Sequence, residues 1–189
     1  MRRLHCSIDI LSYWHAGSGQ SGGASVDSLA LRDQNGLPYL PGKSLKGLFR
    51  EAVQVLEEHI PDTSGQTIRL FGSRDTRREG TQFGLLRFED ARLPDDFDRW
   101  LSAPDEPARQ ELFEYISATA LSEHGIALQK SLRSIEVALP MTLKAVISGP
   151  VNENWPVILQ KAAPLIRSVG AHRHRGLGRC CVAIQGGQA

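Results

Sequence analysis

The sequence predicts a single α+β domain, and three observations support that prediction. The chain has 189 residues, the usual length of one domain. Its composition, 41% hydrophobic and 23% charged, is typical of a folded globular protein rather than a disordered one. Segments with the two-residue alternation of strands are interspersed with two segments that have the three- and four-residue spacing of helices.

The first half of the chain begins with a strand and contains the clearest helix. Residues 3–11 alternate apolar and mostly polar positions, as a half-buried strand does. Residues 16–25 are small, flexible or polar and predict a loop, and residues 26–33 predict a short irregular strand. Residues 44–60 form one apolar helical stripe, and Ser44 is the predicted N-cap of that helix.

The second half supplies the remaining strands and a second helix. That helix begins at Trp155-Pro156, and Pro164 is expected to kink it. The other segments are a strand at 84–92, an acidic and partly helical stretch at 94–120, an extended arm or hairpin at 126–137, a strand at 139–149 and a closing strand at 179–184. The order strand, helix, strand, strand, helix, strand, with long insertions, is that of the ferredoxin-like βαββαβ fold.

Positive charge is concentrated in two segments, although the net charge is only +1. Lys43, Lys46 and Arg50 lie in a stretch without acids, and no acid follows Glu153, where five further lysines and arginines remain. The acids crowd instead into 89–114. The two basic segments predict one positive face if the fold joins them, and a solvated surface without a ligand is the alternative.

The sequence predicts a cytoplasmic protein without a membrane partner. No apolar run approaches the roughly 20 residues that cross a bilayer, and the start of the chain has no small-residue cleavage site typical of a secretion signal. The three cysteines are few, and two of them, Cys180 and Cys181, are adjacent. Such a set indicates a reducing compartment rather than a disulfide scaffold.

The string PGKS at 41–44 is not a nucleotide-binding P-loop, because five residues rather than four separate Gly36 from Gly42. What remains is a helix start, where backbone amides and the helix dipole attract anions, with a row of cations on one face. This arrangement favours a phosphodiester backbone, and a solvated basic face is the alternative. The residues concerned are Lys43, Ser44, Lys46 and Arg50.

The glycine-rich loop at 170–178 is a second candidate for contact with nucleic acid. Its glycines allow a close backbone approach, and its cations can pair with phosphate or stack on a base. The side chains concerned are His172, Arg173, His174 and Arg175. A metal site made with Cys180 and Cys181 is disfavoured, because adjacent strand residues point to opposite faces and zinc sites use spaced pairs.

Asp27 lies just after the glycine-rich loop 16–25. A carboxylate is unexpected beside basic segments, because it would repel the phosphates that those segments attract. A turn or capping aspartate is one interpretation. In the other, the carboxylate positions or deprotonates a ribose 2′-hydroxyl, or helps to hold a divalent ion near a scissile phosphate.

Taken together, these segments resemble the CRISPR-associated RAMP superfamily, specifically the repeated backbone subunit of type III effector complexes. The strings that carry the resemblance are GSGQSGGASVDSLALRDQNGLPYLPGKSLKGLFREAV at 17–53, LFGS at 70–73, GLLRFEDARL at 84–93, SLRSIEVALP at 131–140 and GAHRHRGLGR at 170–179. They occur in order and extend over nearly the whole chain.

The resemblance implies an RNA-recognition-motif-like fold that binds guide RNA and stacks with sister subunits or copies of itself. It implies one domain over residues 1–189, with a core at about 1–93 and 139–185 and an insertion, including a thumb-like hairpin, at about 94–138. Asp27 stands where the nuclease-competent members carry the aspartate that cuts guide-complementary target RNA, a reaction that needs Mg²⁺ or another divalent ion. The RNA-contacting residues that it implies are His15, Lys43, Ser44, Lys46 and Arg50, with Lys130 and Arg133 on the thumb.

Three functions follow from these observations as hypotheses. The first is an RNA-guided endoribonuclease subunit that uses Asp27. The second is a non-catalytic scaffold that binds guide RNA and organises its neighbours. The third, which the extended Asp27 loop and the chain length disfavour, is a guide-processing endoribonuclease that relies on His15 and needs no metal.

Overall fold

The structure, a computed structural model, describes residues 1–23, 26–73, 82–120, 122–128 and 131–186. The strands are β1 (Arg2–Ile10), β2 (Arg87–Phe88), β3 (Phe113–Ala118), β4 (Arg133–Ala138), β5 (Thr142–Gly149) and β6 (Cys180–Gly186). The helices are α1 (Gly42–His59), α2 (Gln66–Phe71), α3 (Asp95–Leu101) and α4 (Trp155–Ala162). None of the helices within the described ranges is long and apolar enough to cross a bilayer.

A four-stranded antiparallel sheet in the order β2-β5-β1-β6 forms the centre of the fold. Both strands that neighbour β1 arrive from the second half of the chain, and α1 and α4 connect the strand pairs. This strand order and connectivity are those of the ferredoxin-like fold, so that prediction is confirmed. A separate two-stranded sheet pairs β3 with β4, from Phe113 opposite Ala138 to Ala118 opposite Arg133.

The core lies between the sheet and the two long helices. The alternating residues Leu4, Cys6, Ile8 and Ile10 of β1 are buried, as the two-residue period predicts. They belong to the same apolar cluster as the α1 stripe, which includes Phe49. Burial raises the pKa of the Cys6 thiol to about 12 and that of Cys180 to about 11, so these cysteines are protonated, inert core residues.

The prediction that Ser44 is the N-cap of α1 is wrong. The helix begins at Gly42 after Pro41, and the Ser44 amide already donates to the Pro41 carbonyl at 2.8 Å, so Ser44 lies in the first turn. The first free amide, that of Gly42, donates to Asp90 Oδ1 at 2.8 Å. A carboxylate of the protein itself therefore occupies the anion-attracting end of the helix.

Several element boundaries differ from the sequence prediction. The strand predicted at 84–92 is reduced to β2, because beyond Phe88 the chain makes only single bridges to its neighbours. Residues 26–33 likewise form isolated bridges rather than a strand. The hairpin begins with β3 at Phe113, earlier than the arm predicted at 126–137. Its first strand lies within the segment 94–120, whose acidic composition favoured a partly helical assignment. After α4, the chain continues through Pro164 as a 3-10 turn, consistent with the predicted break.

Two glycines of α1 provide a matched test of how the helix start is packed. A Cβ at Gly42 would meet the Phe88 carbonyl oxygen and the Glu89 carbonyl carbon, whereas a Cβ at Gly47 would meet nothing within 4 Å. We expect Gly42→Ala to lower the free energy of unfolding by about 1–3 kcal/mol through overpacking. We expect Gly47→Ala to raise it by about 0.5–1 kcal/mol, because alanine favours helix interiors. Urea unfolding measures both, and equal effects would contradict the close approach at Gly42.

Candidate nucleic-acid interface

A cleft of about 530 Å³ brings the two basic segments together. One wall is the loop after β1 at residues 16–18, a second is the start of α1, and the third is the loop at 170–173. Lys43 and Ser44 are exposed on the α1 wall, and the half-buried Arg173 faces them from the other side. We call this space the main cleft.

The loop at 170–178 is held against the segment after β1 by backbone hydrogen bonds. The Ala171 amide donates to the His15 carbonyl at 2.7 Å, and the Gly178 amide donates to the Tyr13 carbonyl at the same distance. Gly178 has φ +68°, and a Cβ there would collide with the Val169 carbonyl, so only glycine allows this close approach. The remaining three side chains that the sequence predicted in this loop, His172, His174 and Arg175, are exposed.

Lys46 faces a different cleft from Ser44 and Arg173. It lines a space of about 550 Å³ together with Lys43, Met1 and Arg87, so Lys43 stands between the two clefts. Partial burial, together with the nearby Arg50 charge, lowers the pKa of the Lys46 ammonium. A cation that has already lost part of its hydration has less to lose when it contacts a phosphate.

Arg50, which the sequence places in the same row of cations, is engaged by the protein. Its guanidinium donates to the Gly72 carbonyl oxygen at 2.8 Å. This hydrogen bond joins the middle of α1 to the residue that follows α2. In this structure Arg50 therefore stabilises the packing between α1 and the end of α2.

His15 is buried, with 2% of the residue exposed, rather than displayed to a ligand. Its Nδ1 lies 2.6 Å from the Glu136 carbonyl oxygen, which can only accept, so Nδ1 carries the proton. Its Nε2 lies 3.1 Å from Ser28 Oγ, and its ring centroid lies 6.2 Å from that of the exposed His172. Both ring nitrogens are thus engaged, an arrangement that positions loops and does not favour acid–base chemistry on RNA.

Glu136 is the most connected polar residue of the site, and sequence reasoning missed it. It lies on β4 with 2% of the residue exposed. Its Oε1 accepts from Arg32 Nη2 at 2.7 Å and from the Tyr115 hydroxyl at 3.3 Å, and its Oε2 accepts from the Ala30 amide at 3.0 Å. The Arg32 guanidinium also lies 3.6 Å above the centre of the Phe113 ring. These contacts attach the segment at 28–32 to both strands of the hairpin.

Asp27 lies at the edge of this network, and its side chain is exposed. Its amide donates to the Ser134 carbonyl at 2.8 Å, and its Oδ2 accepts from the Ser134 amide at 2.7 Å. The carboxylate is therefore oriented by β4 through Oδ2, while Oδ1 makes no hydrogen bond with the described part of the chain. Within that part, no group of three or more His, Cys, Asp or Glu side chains is placed to hold a metal ion.

The outer part of the hairpin combines a cation with exposed apolar side chains. Arg133 is exposed at the start of β4, next to the 71% exposed Leu132. Nearer the tip of the hairpin, Ile126 is 68% exposed and Leu128 is 50% exposed. Lys130, the other thumb cation predicted from the sequence, lies outside the described residues.

A sequence signal for Glu136 does exist. The acid interrupts the apolar run Ile135, Val137 and Ala138 in a predicted strand, and an acid in such a run requires a partner when the strand is buried. That partner, Arg32, is 104 residues away, so the pair cannot be found from local spacing. Asp90, which accepts from the Gly42 amide at the start of α1, likewise cannot be found from local spacing, because it is 48 residues away.

The model of the RAMP superfamily matches residues 7–181. The chain belongs to the RAMP superfamily. Two solved structures share its fold, and each covers 97% of this chain and 97% of the matched one. The first, type III-B Cmr-beta bound to cognate target RNA, has a TM-score of 0.71 at 12% identity, and the second, the apo state of type III-B Cmr-beta, has 0.72 at 15%. Among curated proteins, no sequence matches significantly.

In this RAMP chain, Glu136 provides a direct test of the network around Asp27. We expect Glu136→Gln to lower the free energy of unfolding by about 1–3 kcal/mol, because the charged partner of Arg32 is lost from a nearly buried position. Glu114→Gln, an exposed position on the neighbouring strand β3, removes the same charge and should change stability by less than about 0.5 kcal/mol. Urea unfolding compares the two variants, and equal values would mean that the buried pair does not stabilise the fold.

Proposed function

We propose that this chain is the guide-RNA-binding backbone subunit of a type III CRISPR effector complex, and that it cleaves target RNA paired to the guide. The observation that carries the proposal is the main cleft, in which cations from two distant segments face each other. Membership of the RAMP superfamily and the fold shared with a Cmr-beta chain in a complex bound to cognate target RNA support it.

The chemistry of the main cleft suits the backbone of an RNA strand rather than its bases. Lys43 and Arg173 supply positive charge from opposite walls, and Ser44 supplies an exposed hydroxyl. Such groups bind phosphate and ribose oxygens, which are the same for every nucleotide. A subunit that must carry guides of many sequences requires this kind of contact.

For cleavage we propose Asp27 as the general base. In this step its carboxylate accepts the proton of a ribose 2′-hydroxyl, the 2′-oxygen attacks the adjacent phosphorus, and the bond from phosphorus to the 5′-oxygen breaks. The products are a 2′,3′-cyclic phosphate and a 5′-hydroxyl, whose oxygen takes its proton from water. The hydrogen bond from the Ser134 amide fixes the direction of the carboxylate, which leaves Oδ1 toward solvent for the reacting group.

A divalent ion fits the exposed carboxylate of Asp27, because Mg²⁺ prefers oxygen ligands and keeps several of them from water or substrate. When bound, such an ion would neutralise charge on the scissile phosphate. Asp27 is the ligand that this chain would offer, as an alternative to its role as the base, and RNA oxygens would supply the other ligands.

A non-catalytic scaffold is the second candidate, and the contact between Asp27 and Ser134 favours it. The backbone amide and the side-chain Oδ2 of Asp27 both form hydrogen bonds with β4, and this structural role needs no reaction. In either case we propose guide RNA, target RNA and sister subunits or further copies of the chain as partners. The three free cysteines suit assembly in the reducing cytoplasm.

Asp27→Asn separates the catalytic proposal from the structural role. Asparagine keeps a carbonyl oxygen that can accept from the Ser134 amide, but it cannot take a proton from a 2′-hydroxyl. In the complex assembled with guide RNA and Mg²⁺, we expect cleavage of complementary RNA to fall by at least about 100-fold, with guide binding changed by less than about twofold. A denaturing gel and fluorescence anisotropy measure the two quantities. Retained cleavage would exclude Asp27 as the base, and absence of cleavage by the unaltered complex would favour the scaffold.

The salt dependence of RNA binding tests the main cleft. Each contact with a phosphate of single-stranded RNA contributes about 0.7 to the slope of log affinity against log salt concentration. We expect Lys43→Ala to weaken binding and to reduce that slope by about 0.7. Lys161→Ala removes an equal charge from the exposed face of α4, which lines neither cleft that Lys43 touches, and should leave the slope unchanged. An unchanged slope for Lys43→Ala would place the RNA elsewhere.

A further inference from the structure

The main cleft contains an acid among its cations. Glu51 lies on α1, two turns beyond Ser44, and its side chain is exposed. Its Oε2 lies 3.4 Å from Arg173 Nη1. Among the described residues that line the main cleft, Glu51 is the only acid, and it contacts the arginine that we propose for phosphate. The Glu51 carboxylate accepts from a guanidinium nitrogen of the kind that binds phosphate oxygens.

The same ion pair borders a second, smaller space. Glu51 and Arg173 both line a cleft of about 250 Å³ on the far side, which also contains the exposed Arg167. Because the two side chains line both spaces, the pair lies between the main cleft and this smaller cleft. Lys43 lines the main cleft and Arg167 lines the smaller one, so the pair has a cation on either side.

We propose that Glu51 holds Arg173 in the absence of RNA and that an RNA phosphate replaces the Glu51 carboxylate on binding, which joins the two clefts into one continuous groove. This inference rests on the proposed function, since it assigns a role within the same RNA site. Glu51 is then an affinity-determining residue that weakens binding. An exposed ion pair of this kind is readily exchanged, because both side chains remain partly solvated.

The charge of Glu51 has a defined cost for RNA. A carboxylate within about 10 Å of bound phosphates repels them at about 0.1 M salt, and the repulsion is screened beyond that distance. Phosphate must also compete with the carboxylate for the same guanidinium nitrogen. Removal of the charge therefore strengthens binding through this arginine.

The experiment compares Glu51→Gln with a matched control on the same helix. Glu58 is also exposed and lies seven residues further, which is two turns and about 10 Å along α1, and it lines neither cleft. Glu58→Gln removes the same charge without touching Arg173. Binding of a labelled single-stranded RNA of guide length to the full chain is measured by anisotropy at about 0.1 M salt, and a urea unfolding curve verifies that each variant is folded.

We expect Glu51→Gln to tighten binding about two- to fivefold and Glu58→Gln to change it by less than about 1.5-fold. In an Arg173→Gln background, the gain from Glu51→Gln should fall to that of the control. An equal effect of Glu51→Gln and Glu58→Gln, or a gain that persists in full without Arg173, would overturn the inference while leaving RNA binding itself intact. Absence of binding by the unaltered chain and by Glu51→Gln would overturn the proposed function, and the inference with it.

Discussion

Glu136 brings a carboxylate into the protein, and a charge that loses its water must be matched by donors from the chain. Two segments meet this requirement, because Arg32 and Ala30 donate from the connecting segment and Tyr115 donates from β3. The backbone of Glu136 adds the contact to His15. The carboxylate of Glu136 thus joins the segment at 28–32 to the hairpin, and its backbone carbonyl joins the hairpin to the loop after β1.

The two candidate activities of the chain depend on this anchor in different ways. The main cleft needs the loop after β1 as one of its walls, and that loop is held through His15. The Asp27 carboxylate needs β4 at a fixed distance, since the Ser134 amide orients it. The proposed binding and the proposed cleavage would thus share β4 as a support, although the residues proposed for them belong to separate segments. Rigid support of a few exposed groups is how a small domain presents a site precisely.

Local patterns predicted the core of this fold well, because periodicity reports directly which face of an element is buried. The buried residues of β1 and the stripe of α1 follow from it. The same patterns could not locate what holds the site, since Arg32 and Glu136 meet across 104 residues and Gly42 meets Asp90 across 48. Ser44 illustrates the difference: a serine after Pro-Gly is a sound local choice for a cap, but a distant carboxylate takes that role.

The antiparallel pairing of β3 with β4 restricts how the hairpin can vary in length. Ser134 and Glu136 are two residues apart on β4 and point to the same face of that strand, and the register from Phe113 to Ala138 fixes which β3 residues lie opposite them. Residues beyond Ala118 and before Arg133 lie outside this paired region. Changes of length there leave the register untouched, whereas a residue added in β4 between Ser134 and Glu136 would turn one of these two side chains to the other face of the strand. The length of the hairpin beyond the paired strands is thus independent of the base that holds Glu136.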